Sequence, residues 1–267
     1  MNTKAVIDFW YKKLNFPQKY NAEFESILDK ISIDESTSIE TYNFEETDGK
    51  KNLLYFLYFC ESLKERYEKK GISLDILYDT LSDIVTWTNI WSDLKGELYL
   101  GEIKWLKFHM TMKIFRLGRL QFCMEKAAQD ILVAGISKGD NVIEIHIPSG
   151  GAMTKELCLD AIGRAKEFFN EFYPEYDYKG FTCNSWLLDR TLKEILPKDS
   201  NIVAFQDMFS IVYDMKCDAI LKYVFHWNTT RETLEQEKCT SRFAEKVKEM
   251  TLAGTDFYQS LGFLNIP

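Results

Sequence analysis

Residues 142–172, VIEIHIPSGGAMTKELCLDAIGRAKEFFNEF, set two titratable side chains, a glycine pair and a helix start in direct succession. Alternation along the strand expected for VIEIHI puts Glu144 and His146 on one face and Ile143, Ile145 and Ile147 on the other. Imidazole titrates near neutrality, so this face could accept or relay a proton. A hydrogen-bonded structural pair is the competing reading. Downstream, Ser149, Gly150, Gly151 and Ala152 carry little bulk and Met153 precedes Thr154, a good cap for the helix that follows. Backbone N–H groups near two glycines at a helix N-terminus can hold an anion. The same residues could equally form a plain glycine-rich turn. Neither GxxxxGK[ST] nor GxGxxG occurs here, which argues against nucleotide hydrolysis and dinucleotide binding.

A second stretch with reactive types is FTCNSWLLD, residues 181–189, with Cys183, Asn184 and Ser185. Cys183 reads as a buried thiol before it reads as a nucleophile, since spacing assigns it no base. Ser185 could give a proton to a leaving group, or close a turn as Asn184 could. Arg116 and Arg119 in RLGRL could grip phosphate, although pairing with acids of the preceding helices is favoured. His226 in YVFHW is expected to end a strand, and the Asn228 sequon has no meaning without secretion. Three histidines and six cysteines without CxxC spacing give no zinc signature, so no metal is expected.

The elements that must position these groups fall into two halves. Before residue 113 the pattern is helical: Lys4 to Leu14 with Thr3 as cap, then a face of Phe24, Ile27, Leu28 and Ile31. Lys51 to Lys70 closed by Gly71 follows, then a helix capped by Ser73 and running to Gly96, and one from Glu97 to about Met112. Trp87, Trp91 and Trp105 read as core residues rather than a ligand pocket. Between Asp34 and Asp48 six acidic residues and no basic one predict a solvated loop, or a contact for a basic partner. After Arg116 strands and helices alternate: strands at 116–124, 142–147, 180–188, 219–227 and 256–266, helices at 155–172, 191–196, 200–213 and 242–253. This predicts an α+β chain, with an all-α domain over 1–113 and a mixed sheet flanked by helices over 114–267.

Composition agrees with a folded, non-fibrous protein: 267 residues, 46% hydrophobic and 28% charged, with 19 Phe, 14 Tyr and 6 Trp. A formal charge of −8 gives no field for nucleic acid or an anionic membrane. The longest apolar run, Leu53 to Cys60, is far below the roughly 20 residues that span a bilayer. The N-terminus lacks a signal-peptide pattern and the cysteines lie among apolar neighbours, so a cytoplasmic location is expected.

The order strand, SGGA loop, helix, strand, helices, strand, helix, strand across residues 116–267 resembles the core of the GNAT acyltransferases, and within it stand the strings RLGRLQF, IHIPSGG, FTCNSWLLD and LPKDSNIVAFQ. More narrowly they resemble bacterial proteins with an N-acyltransferase N-terminal domain and a GNAT-like C-terminal domain, over nearly the whole chain. The family's loop reads Arg or Gln, x, x, Gly, x, Gly or Ala. Gly150 and Ala152 fit its last positions, Ile147 stands at the Arg or Gln place, and Pro148 removes one donor. The resemblance implies an acyl-CoA-dependent N-acyltransferase acting on a small amine or protein amine. In it Ser149, Gly150, Gly151, Ala152, Met153 and Thr154 would hold the CoA pyrophosphate, Ile145 backbone the thioester and Asn184 the pantetheine arm. Glu144, His146 and Ser185 would move protons, and the cleft would lie at the domain junction. A non-catalytic module that binds CoA or another metabolite is the alternative.

Overall fold

The computed structural model describes residues 2–45 and 48–265. By its internal contacts the chain divides between Leu117 and Gly118 into two compact units.

The first unit is built from helices α1 (Thr3–Lys13), α2 (Asn21–Lys30), α3 (Gly49–Lys70), α4 (Leu74–Lys95) and α5 (Ile103–Met110), closing with strand β1 (Ile114–Leu117). Each start and stop has a local cause. Asn2, not Thr3, caps α1 by accepting from the Ala5 N–H at 2.9 Å. Asp48 and Ser73 cap α3 and α4, and Gly71 and Gly96 end them in the left-handed conformation. The helix expected from Glu97 begins only at Ile103. Before it Gly101, in a stretch without regular structure, lies so close against the Trp91 indole that an added Cβ would stand 2.4 Å from it. The acidic segment is irregular, as expected, but it is not merely solvated: Ile39, Tyr42 and Phe44 are buried, with Tyr42 against the rings of Tyr55 and Phe59. Glu46 and Thr47 of that segment lie outside the described residues. In the interior, Asp83 on α4 accepts from the Trp105 Nε1–H at 3.3 Å and stands 3.0 Å from His109 Nε2.

The second unit carries strands β2 (Leu120–Lys126), β3 (Asn141–His146), β4 (Phe181–Ser185), β5 (Phe209–Lys216) and β6 (Tyr258–Leu264), which lie side by side in the order β2-β3-β4-β6-β5. Only β3 and β4 run parallel; the other neighbours are antiparallel. Helix α6 (Lys155–Phe172) makes the crossover between that parallel pair. It buries Cys158, Ala161, Ile162, Ala165, Phe168 and Phe169, one helical face. Its Phe169 ring meets Tyr178, and Tyr178 meets Phe181 at 5.4 Å between centroids, so α6 covers the sheet face of Phe181 and Phe122. On the opposite face Val142 packs with Ala127, Ile131 and Ile136.

Three expected elements differ. The strand expected at 116–124 is two strands, because Gly118 at φ +73° turns the chain. The helix expected over 200–213 stops as α8 (Asn201–Gln206), after α7 (Leu192–Ile195), and Phe209–Lys216 becomes β5. FSIVYDMK is rich in β-branched and aromatic residues, and its pairing with β6 outweighs the helical spacing of Ile202, Phe205, Phe209 and Val212. The strand expected at 219–227 is instead helix α9 (Ala219–Val224), whose Ile220 and Leu221 join Leu192, Leu234, Val247 and Phe257 in a separate core that α10 (Arg242–Leu252) completes. Of the last expected strand, Ile266 lies outside the described residues. No helix among the described residues is long and apolar enough to cross a membrane.

Candidate active site

The parallel ladder between β3 and β4 holds two residue pairs, Ile143 with Phe181 and Glu144 with Thr182. Both strands continue, but with other partners: β3 pairs with β2 as far as His146 opposite Gln121, and β4 with β6 as far as Ser185 opposite Ser260. The sheet therefore opens between the C-terminal ends of two neighbouring strands. Ile145 and His146 stand on one side of the gap, Asn184 and Ser185 on the other.

Glu144 stands at the last pair before this opening. The Ile143 N–H donates to the Gly180 carbonyl at 3.0 Å, so a regular ladder would next offer the Asn184 N–H to the carbonyl of Ile145. The ladder stops short of that bond, and the Asn184 N–H instead acts on the Glu144 carboxylate, favouring its charged form. Burial, reinforced by the Glu125 carboxylate, raises the Glu144 carboxyl from its ordinary value to about 7, with the Asn184 bond opposing. A carboxyl with this affinity for protons can take one from an amine at neutral pH and release it again. Register places Thr182, Asn184, Glu144 and His146 on one face of the sheet, and Cys183 and Ser185 on the other.

Ser185, expected to give a proton to a leaving group, thus lies on the opposite face of the sheet from Glu144 and His146. Its Oγ accepts from the Leu187 N–H at 3.2 Å, capping the 3₁₀ turn Trp186–Leu188, while the hydroxyl proton remains available to a ligand. Cys183 is fully buried, and burial followed by the Glu144 charge pushes its thiol well up, which suits a structural thiol. His226 is exposed, lies just past the end of helix α9 rather than at the end of a strand, and stands 3.5 Å from Glu237.

Beyond β3 the chain enters the glycine loop. Gly150 and Gly151 adopt φ of +80° and +74°, with open space where a Cβ would project. The N–H groups of Ser149, Gly150, Gly151, Ala152 and Met153 have no acceptor among the described residues. Met153 is buried and anchors the loop, whereas Ser149 to Ala152 are exposed. Thr154 caps α6 as expected, its Oγ1 accepting from the Leu157 N–H at 3.3 Å. The N-terminal amides of α6 and those of the loop together form a concentration of donors beside the gap.

Sequence reasoning underrated Arg119. Its Nε and Nη1 donate to the carbonyls of Ala152 and Pro148, at 3.0 and 2.9 Å, so these bonds serve the loop rather than acidic residues. Arg116 gives its Nη1 proton to Ser82 Oγ at 3.2 Å within the first unit. Glu125 also went unremarked; only strand pairing reveals that it shares a face with Glu144. No cluster of potential metal ligands occurs among the described residues.

A mixed sheet that parts between two parallel strands, followed by a glycine loop and a helix, defines a GNAT-like domain. Residues 114–264 match the family described as the GNAT-like C-terminal domain, and residues 4–112 match the N-acyltransferase N-terminal domain. The chain belongs to this family, and its fold is α+β. Among solved structures it is similar to an acyltransferase in complex with decanoyl-CoA and teicoplanin, at 20% identity over 98% of this chain and 88% of that one, TM-score 0.77. An acyltransferase mutant in complex with octanoyl-CoA gives 19% identity, 99% and 88% coverage and a TM-score of 0.78. A decanoyl-CoA complex gives 24%, 99% and 78%, and 0.72. These likenesses concern the fold. No curated protein matches the sequence significantly.

Proposed function

We propose that the protein transfers an acyl group from acyl-CoA to an amine, on a small molecule or on a protein. The observation that carries this reading is the succession, within one strand, loop and helix, of an opened sheet and a set of outward amides without internal acceptors. Ser149 to Thr154 hold the diphosphate and Asn184 receives the pantetheine arm. Backbone at Ile145 polarises the thioester carbonyl. Glu144 or His146 takes a proton from the acceptor amine, whose nitrogen attacks that carbonyl. The C–N bond forms, the C–S bond breaks, the thiolate takes a proton from water or from Ser185, and the proton held by Glu144 or His146 passes to solvent, from which Ser185 is reprotonated.

Likeness to acyltransferases holding decanoyl- and octanoyl-CoA supports medium-chain thioesters as the first donors to test. All six cysteines are thiols, which supports a cytoplasmic setting. A second reading, a CoA-binding module without turnover, is favoured by Pro148 and by Ile147 at the family's Arg or Gln place. Thiol release from acetyl-, octanoyl- and decanoyl-CoA, followed across a panel of amines, separates the two. Amine-dependent release supports the transferase. CoA binding with no release across the panel supports the module.

A further inference from the structure

We propose that Arg119 is the positioning residue of the diphosphate loop and supplies the positive charge that the loop's own sequence lacks. This inference rests on the acyl-CoA reading above. From Ile147 to Thr154 the loop contains no cation, and Ile147 occupies the place where a basic or amide side chain would stand. Arg119 comes from elsewhere in the chain, just after the Gly118 turn that leads into β2.

Its guanidinium bridges the two ends of the loop, with Nη1 on the Pro148 carbonyl at 2.9 Å and Nε on the Ala152 carbonyl at 3.0 Å. A trans peptide holds its C=O and N–H antiparallel. Fixing the Pro148 carbonyl toward Arg119 therefore turns the Ser149 N–H away from it. Fixing the Ala152 carbonyl does the same to the Met153 N–H. These two belong to the set of loop amides that have no acceptor among the described residues. Between them Gly150 and Gly151, both left-handed, have room on their outer side. One side chain thus aims donors at opposite ends of the loop and places a full positive charge behind the peptide groups that carry them. A dianionic diphosphate on the far side would feel both the aimed dipoles and the charge.

The test is calorimetric titration of CoA into the full-length wild type, Arg119→Gln and Arg119→Lys, from about 50 to 300 mM salt, a range over which ionic screening changes substantially. Loss of the clamp and charge should weaken CoA binding roughly 10- to 100-fold in Arg119→Gln, the range for a hydrogen bond involving a charged group. It should also flatten the salt dependence, because one cation no longer contributes. Arg119→Lys, keeping the charge without the two-pronged geometry, should recover the salt slope and part of the affinity. Unchanged affinity in Arg119→Gln overturns the inference. So does weakened affinity with an unaltered salt slope that Arg119→Lys does not rescue, since that is the mark of a purely structural role. A folded wild type that fails to bind CoA at any salt overturns the acyl-CoA reading itself.

Discussion

Replacing Glu144 by Gln should make the protein more stable at pH 8 and leave it unchanged near pH 3.5. The folded protein raises this carboxyl from 4.5 to about 7. Below the unfolded value both states are protonated and the site costs nothing. Between the unfolded and the folded value the unfolded chain ionises freely, whereas the native state must either keep the proton or hold a carboxylate in poorly solvated surroundings beside Glu125. Stability is lost over that window and the loss is complete above it. At 1.36 kcal/mol per pH unit the shift corresponds to about 3 kcal/mol. Glu144 is only partly buried, so solvent screening reduces this to about 2 kcal/mol. Gln keeps an oxygen for the Asn184 N–H and removes the ionisation. Differential scanning calorimetry at the two pH values reads the effect. The transition should move up by roughly 4–8 °C at pH 8 in the variant, using 2–4 °C per kcal/mol for a unit of this size. A gap of the same size at both pH values, or none at pH 8, would refute the assignment of a neutralised carboxyl at the opened end of β3.

Further outcomes follow from the same geometry. His146→Gln should reduce amine-dependent thiol release about 10²- to 10⁴-fold while CoA affinity, read by titration calorimetry, stays at the wild-type value. Gly151→Val forces a β-branched residue to φ +74° and projects its side chain into the open side of the loop. It should cost about 1–2 kcal/mol in urea unfolding and weaken CoA binding at least roughly tenfold. Asp83→Ala removes the 3.0 Å contact to His109 Nε2, and His109 Nδ1 already lacks a partner among the described residues. Its cost, roughly 2–4 kcal/mol by denaturant titration, should fall on the first unit.

The helical half was largely readable because its signals are local. Ser73 with Gly96, and Gly71 after Lys70, are caps whose chemistry does not depend on distant residues. Likewise Thr154, Gly150 and Gly151 announce a loop and a helix start by themselves. What escaped reading depends on partners far along the chain. The β-branched and aromatic residues after Phe209 favour a strand, but they compete with a helical spacing, and the partner that decides between the two, β6, lies some fifty residues on. Ala219–Val224 is apolar enough for either state, and only a cluster reaching from Leu192 to Phe257 makes a helix the better burial. Ile39, Tyr42 and Phe44 were hidden by their acidic neighbours. Arg119 is separated from its loop by about thirty residues, and a guanidinium satisfied by carbonyls leaves no mark in charge patterning. The alternation of Glu144 and His146 was visible, but the ladder that stops at Glu144 and Thr182 was not, because it takes two strands to show where a sheet parts.

Binding of the thiol cofactor to the unliganded protein tests the whole construction. Thermal unfolding with CoA or decanoyl-CoA at about 100 times its dissociation constant should gain about 2.7 kcal/mol, a clear rise in melting temperature. Gly151→Val should abolish most of that gain. A melting temperature indifferent to millimolar CoA and decanoyl-CoA would mean that the amides of Ser149 to Met153 do not cradle a diphosphate, and the acyl-transfer proposal would fall with them.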